Sequence, residues 1–297
     1  MSQTAPVLPV DAAAAEALVR PKQELEARIR AFLAGQLGRV LPADPARGLG
    51  WYYDWVVLGG RSLEALRVIS ARRPPGGGPV LDVGSGLGTF VLLATRAGMP
   101  ARGVEPGEAE LALAHERAAA MGIDGERLFR PGTGEAMPYG DGSFSGVLLH
   151  DVLEHVLDWR AVLSECWRVL EPGGVLYVKG PSYTVRFIEP HYRIAWLPLL
   201  PKPLARRYLA ARDRDVGYVE HLGYRRRGAV LAELRSLGFE LTFPRLDKLR
   251  DPEAINRQWV RALVGRVRHP DGSLPGFAEL AAENPLQSAI DVVARRP

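Results

Sequence analysis

Cysteine is nearly missing from this chain: Cys166 is the single one in 297 residues. No disulfide can form within the chain, and no cysteine cluster can hold a metal. Thiol-dependent and arsenic-type chemistry lose their basis, and no metal is expected. Cys166 falls in a helical pattern with Trp167, Val169 and Leu170 and is expected as a small core residue. A reducing compartment fits. No run reaches the roughly 18 apolar residues of a membrane-crossing helix. No charged leader followed by an apolar stretch opens the sequence, so no secretory signal is expected. Those absences predict a cytoplasmic protein that is still free to touch a membrane surface. Charge of one sign is also in short supply. The formal net charge is +4, with no dense Lys/Arg stripe of the kind that grips nucleic acid. Internal repeats are absent.

What is present is an ordinary globular composition, 47% hydrophobic and 24% charged, which supports one elaborated α/β domain or a core with a small accessory part. Residues 1–10 read as a loose leader. From Asp11 to about Leu37 the apolar spacing is helical, with Leu25, Ile29, Phe32 and Leu33 at intervals of three and four. Residues 41–50 read as a loop and Trp51–Ser70 as a second helical stretch. The run Arg72–Gly78, with two prolines and three glycines, marks entry to the main domain.

Strand and helix then alternate. Pro79–Val83, Ala101–Glu105, Arg127–Arg130, Ser145–Leu149 and Val175–Lys179 read as strands. Leu87–Ala97, Gly107–Met121 and Asp158–Leu170 read as helices. Phe239–Phe243 and Ala289–Val293 supply two further candidate strands. The alternation predicts an α/β fold, a doubly wound and mostly parallel sheet with helices on both faces. Two insertions interrupt it, 181–227 and 244–287, the second with a helical piece around Glu253–Val264. Strand-end insertions of this size usually carry specificity.

Val80-Leu81-Asp82-Val83-Gly84-Ser85-Gly86-Leu87-Gly88-Thr89-Phe90 is the strongest local signal. A buried strand ends, glycines permit a tight turn with positive φ, and a ligand can press on backbone N–H groups at a helix N-terminus. Asp82 stands just before the turn, within reach of the loop or a ligand ammonium. A dinucleotide fingerprint would read G-x-G-x-x-G/A. Here Thr89 takes the third position and Gly88 comes one residue early, which disfavours a nicotinamide oxidoreductase.

This stretch resembles the first motif of class I S-adenosylmethionine-dependent methyltransferases, and further motifs follow in order. Gly103-Val104-Glu105-Pro106 is similar to the end of the family's second strand. The run from Gly132-Thr133-Gly134-Glu135 to Ser143-Phe144, the segment Val147–Val156 with Leu153-Glu154-His155-Val156, and Arg168-Val169-Leu170-Glu171-Pro172-Gly173-Gly174 resemble its later motifs. The resemblance covers about residues 79–180. It implies a seven-stranded sheet whose last strand is antiparallel, here Ala289–Val293. It also implies S-adenosyl-L-methionine as cofactor, held by Asp82, Gly84, Ser85, Gly86, Gly88, Glu105, Pro106, Thr133, Gly134, Glu135 and His150. Within that set Glu105 would accept both ribose hydroxyls, since one carboxylate can take two hydrogen bonds. Thr133 stands where the family often has an Asp, so its contact with adenine should be weaker. On this reading 1–78 is an N-terminal helical extension, with Tyr52 and Tyr53 as candidate covers of the cofactor's methionine end, or as packing. Residues 79–297 form the catalytic domain.

Methyl transfer from a sulfonium asks the protein for alignment and an optional base. Candidate catalytic residues are His150, His155, Tyr183 and His191, with Tyr192, His221 and Tyr224 behind them. Residues 192–209 mix Trp, Leu and Tyr with Arg and Lys between prolines, which suits a lid over a large hydrophobic acceptor or peripheral contact with an anionic membrane. The expected acceptor is a small molecule or a lipid- or glycan-linked one. A nucleic-acid methyltransferase is the alternative. It is disfavoured because His150-Asp151-Val152-Leu153 lacks a base-stacking pattern after the fourth strand. A cofactor-binding regulatory protein without turnover is the other alternative.

Overall fold

The computed structural model describes residues 11–40, 45–184, 188–244 and 289–297. Its centre is β1 (Val80–Val83), four residues buried on both faces. Such a strand reads as an apolar run because helices cover both sides of a parallel sheet, and here Asp82 is its one polar residue. β2 (Ala101–Glu105) and β3 (Phe129–Pro131) lie outward on one side of it. β4 (Phe144–His150) and β5 (Leu170–Pro181) lie on the other. All four pairings are parallel. Past β5 the sheet ends in β9 (Ala289–Arg295) and β8 (Glu240–Thr242), and β9 runs antiparallel to both neighbours. The seven-stranded order β3-β2-β1-β4-β5-β9-β8 is doubly wound, as expected. The chain reverses its direction of travel between β1 and β4, which opens a crevice at their carboxyl ends.

Alternation along each strand sorts the core into two layers. Leu81, Val83, Val147 and Leu149 face α8 (Trp159–Val169) and α11 (Arg227–Ser236). Cys166 is fully buried in this layer, and burial pushes its thiol up, so it is inert packing. Val80, Leu148 and Tyr177 face α5 (Thr89–Arg96) and helices of the N-terminal part. α8 starts where Asp158 accepts from the N–H groups of Arg160 and Ala161, both at 3.1 Å. α6 (Glu108–Ala120) and the single turn α7 (Gly125–Leu128) complete the β2–β3 connection.

The N-terminal part differs from the expected pattern in three places. The first helical run divides into α1 (Ala12–Val19) and α2 (Gln23–Val40). Pro21 holds Arg20 in an extended conformation, φ −63° and ψ 122°, which no helix continues. Helix α3 (Pro45–Val57) begins inside the segment expected as a loop, with Pro45 at its first position, where a missing N–H costs nothing. The second run is then cut at Gly59, whose φ of +83° ends α3 before α4 (Gly60–Ser70) starts.

Residues 188–222 build a small unit with its own core of Tyr192, Ile194, Leu197, Leu209, Val219 and Leu222. It contains the hairpin β6 (Ile188–Glu189) and β7 (Ile194–Ala195), then α9 (Lys202–Ala210) and α10 (Tyr218–His221). The unit is tied to the end of β4. Gly223 N–H donates to the Glu154 carbonyl at 2.7 Å, and the Arg225 guanidinium donates to Leu153 and Val156 carbonyls at 3.0 and 2.7 Å. Its outer side exposes Trp196, Leu199 and Leu204 beside Arg206 and Arg207. The expected helix around Glu253–Val264 lies outside the described residues. No described helix is long and apolar enough to cross a membrane.

One buried cation joins the N-terminal helices to the sheet. Arg117 of α6 has no exposed surface. It donates to the Leu87 carbonyl and Thr89 Oγ1, each at 2.7 Å, and to the carbonyls of Val19 (3.0 Å) and Val57 (3.2 Å). These are the last residues of α1 and α3, where carbonyls lack helical partners, so the guanidinium also meets the negative ends of two helix dipoles. Burial lowers its pKa to about 10, which leaves it charged at neutral pH. Replacing it by Leu strands these acceptors. Arg117→Leu is expected to cost at least about 3 kcal/mol, read as a lower urea midpoint. A loss below about 1 kcal/mol would show that the joint is dispensable.

Candidate functional site

The crevice at the β1/β4 switch is lined by Arg61, Asp82, Ser85, Gly86 and His150, with Val56 and Leu87 among its apolar walls. The loop after β1 is set by three glycines at positive φ: Gly84 (+68°), Gly86 (+52°) and Gly88 (+74°). Their reasons differ. At Gly88 a Cβ would stand 2.4 Å from the Phe129 ring, so packing as well as conformation demands glycine. At Gly86 a Cβ would meet nothing within 4 Å, so this backbone faces open space where a ligand can approach closely.

Glu105 reaches over from the tip of β2. One carboxylate oxygen accepts from Gly86 N–H at 2.7 Å and the other from Gly107 N–H at 2.9 Å. Burial raises its pKa, and these two backbone donors oppose the rise. A carboxylate offers about four acceptor sites, so each oxygen keeps capacity for a further donor. The buried Ser85 Oγ has no partner among the described residues.

Asp82 is buried at the floor. Burial pushes its carboxyl from the ordinary 3.8 up to about 7; Arg61 opposes the rise and Glu105 adds to it. Arg61, near the start of α4, spans the opening. It pairs with Asp151 at 3.2 Å and donates to the His150 carbonyl at 3.2 Å. The sequence reading missed this residue, because a lone Arg near a helix start has no local signature. His150 is buried at the end of β4, with Trp55 edge-on at 6.4 Å. Burial, then the charges of Arg61 and Lys179, hold its ring well below 6.5 and therefore neutral. A neutral imidazole has a lone pair free to take a proton.

Other expected residues fall elsewhere. Tyr53 is fully buried among Ile29, Leu33, Leu87 and Leu113, under the Arg30 guanidinium at 3.8 Å. It packs the N-terminal helices and does not line the crevice, because the α3 face that carries it turns toward α2. Tyr52, one position earlier, is half-buried and stacks against Trp51. Thr133 and Pro106 are exposed, Glu135 is half-buried, and Gly134 is buried between Val83 and Val162.

His155, Tyr183 and His191 gather in a second group beside the crevice. Glu189, with no exposed surface, accepts from His191 Nδ1 and Tyr192 N–H, both at 2.7 Å, and from Tyr183 Oη at 3.4 Å. The His155 and His191 rings meet edge-on at 5.1 Å, with Tyr218 against both. Tyr224 packs on Tyr183 with its buried hydroxyl unpartnered among the described residues, and His221 is exposed on α10. Glu154 is buried below, its carboxyl raised by burial and by the nearby Asp151. Glu189 escaped the sequence reading because its partners come from a hairpin that the spacing does not reveal.

Residues 81–178 match a family model described as a methyltransferase domain. An uncharacterized methyltransferase of Mycobacterium sp. (strain KMS) is 44% identical over 144 residues, which cover 48% of this chain and 52% of that protein. A ubiquinone biosynthesis O-methyltransferase of Caulobacter vibrioides is 32% identical over 135 residues, 43% of this chain and 53% of that protein. A ubiquinone biosynthesis O-methyltransferase of Pseudomonas paraeruginosa is 28% identical over 197 residues, 53% of this chain and 84% of that protein. The chain thus spans about half the length of the first two relatives.

The Asp82 carboxyl makes a test independent of any ligand. Its folded pKa lies above its unfolded one, so between about pH 4 and pH 7 the folded state binds more protons than the unfolded state. Stability is then fullest below the unfolded value and falls as pH rises to about 7. Asp82→Asn is expected to remove that part of the pH slope, measured by urea unfolding from pH 4.5 to 8. Parallel stability–pH curves for the two proteins would refute the buried-acid assignment.

Proposed function

We propose that in this chain, whose residues 81–178 match a methyltransferase-domain model, the crevice binds S-adenosylmethionine, as in the class I methyltransferases that its motifs resemble, and that the 188–222 unit presents a small-molecule acceptor to it. The observation that carries the reading is the pair of carboxylates set on either side of an open glycine turn. Asp82 suits an ammonium, since a cation would offset the burial of its charge. Glu105 suits a vicinal diol, because both of its oxygens can accept a further bond. Gly86 leaves its backbone bare between them. Arg61 gives a fork-shaped cation for the cofactor's carboxylate at the mouth. Bound there, the cofactor supplies an electrophilic methyl group.

The protein's task is then alignment and exclusion of water. His150, neutral and buried, can accept a proton from the acceptor at a ring nitrogen. The aromatic group of Tyr183, His191, Tyr218 and Tyr224 forms the acceptor wall, and its rings suit a flat or apolar molecule. The O-methyltransferase relatives support an oxygen as the methylated atom.

Isothermal titration with S-adenosylhomocysteine tests the crevice. Glu105→Ala is expected to lose about 2 kcal/mol of affinity, the worth of hydrogen bonds to a charged group. Binding to the unaltered protein at pH 6.5 should release protons as Asp82 ionises, seen as an enthalpy that depends on the buffer. Unchanged affinity in the variant would remove Glu105 from the cofactor site. Tyr218→Ala should raise acceptor KM severalfold and leave S-adenosylhomocysteine affinity alone. An unmoved KM would place the acceptor elsewhere.

A further inference from the structure

Glu154, His155 and His191 bring one ligand atom each to within 4.8 Å of one another. Two come from the turn after β4 and one from the β6–β7 hairpin, so the set exists only because that unit docks on the end of β4. We propose that these three side chains form a binding site for a divalent transition-metal ion of the borderline class, such as zinc, iron(II), cobalt(II) or nickel.

Three features of the surroundings support an ion over a chance cluster. First, the donor set is two imidazoles and one carboxylate, which suits nitrogen-preferring ions and disfavours calcium and magnesium. Second, His191 is already oriented as a ligand. Its Nδ1 is held at 2.7 Å by the fully buried Glu189, which leaves Nε2 for the metal. Metal-bound histidines almost always use their other ring nitrogen in this way, and the carboxylate partner fixes both tautomer and ring angle. Glu189 is itself braced by Tyr192 N–H at 2.7 Å and Tyr183 Oη at 3.4 Å. Third, Glu154 is buried while the cations near it are engaged elsewhere: Arg225 on backbone carbonyls and Arg61 on Asp151. A metal ion would supply the missing positive charge. Metal–ligand bonds of roughly 2.0–2.2 Å require the donors to draw slightly closer. His155 is the exposed member of the set.

Three protein ligands leave coordination positions open, the pattern of sites that take water or a substrate. On the reading given above, such a position would take an oxygen of the acceptor and favour its ionised form. The site itself does not depend on that role.

The test uses the full chain stripped with EDTA, titrated calorimetrically with ZnCl2 and followed by visible absorption with Co2+. A single equivalent should bind. His191→Ala and Glu154→Gln should each weaken binding at least about tenfold, and Glu189→Gln by roughly 10- to 100-fold through loss of orientation. His155→Ala, at an exposed position, gives a variant whose loss of binding cannot come from a damaged core. No stoichiometric binding, or binding indifferent to His155→Ala and His191→Ala, would overturn the proposal. S-adenosylhomocysteine titrated into the same stripped protein reports the crevice separately. Its binding is expected to persist without metal, so failure there counts against the cofactor reading and not against this one.

Discussion

Two strand tips are held together by one carboxylate. Glu105, at the end of β2, accepts backbone N–H groups from Gly86 at the tip of β1 and from Gly107 at the start of its own following helix. The bridge needs a loop that turns sharply, with Gly84 and Gly86 at positive φ. It also needs Gly88 to let Phe129 close against it. Thr89, the first residue of α5, then receives Arg117, and through Arg117 the ends of α1 and α3 are drawn onto the same loop. The crevice is thus the meeting point of the sheet and the N-terminal helices.

Charge burial is the second organising constraint. Asp82, His150 and Glu154 all sit at the carboxyl ends of β1 and β4 with little access to water. Each is shifted toward its neutral form. Perturbed ionisable groups cluster at functional sites, which accords with the proposal that this crevice binds a ligand. Arg61 lies among them, paired with Asp151 yet lining the crevice. The 188–222 unit closes the other side through Gly223 and Arg225, which bring Glu189 and His191 beside Glu154.

Legibility followed the range of the interactions involved. β2 was read with its observed bounds, and the helix Asp158–Leu170 differs from α8 by one residue at each end, because cap, apolar spacing and terminal Pro-Gly-Gly are all local. The glycine turn and Glu105 were legible for the same reason. Helix α3 was hidden because Pro45 reads as a breaker until its position at a helix start is known. Tyr53 was grouped with Tyr52 as a cover for the crevice, although neighbours on a helix point about 100° apart and only tertiary packing tells which one faces inward. Arg61 and Glu189 carried no signal at all, since their partners lie 90 residues away for the first and in an unrecognised hairpin for the second.

The amino-acid sequence alone determined the alternation of strand and helix, the glycine turn, the acid at the neighbouring strand tip and the family resemblance. Each of these is written in residues that touch within one element and its following loop. Tertiary structure alone decided which side chains share a space. It buried Asp82 and His150 together, turned Tyr53 away, and set His191 from one hairpin against Glu154 and His155 from another turn. Those outcomes depend on how layers pack and where burial removes water, and neither is encoded by spacing along the chain.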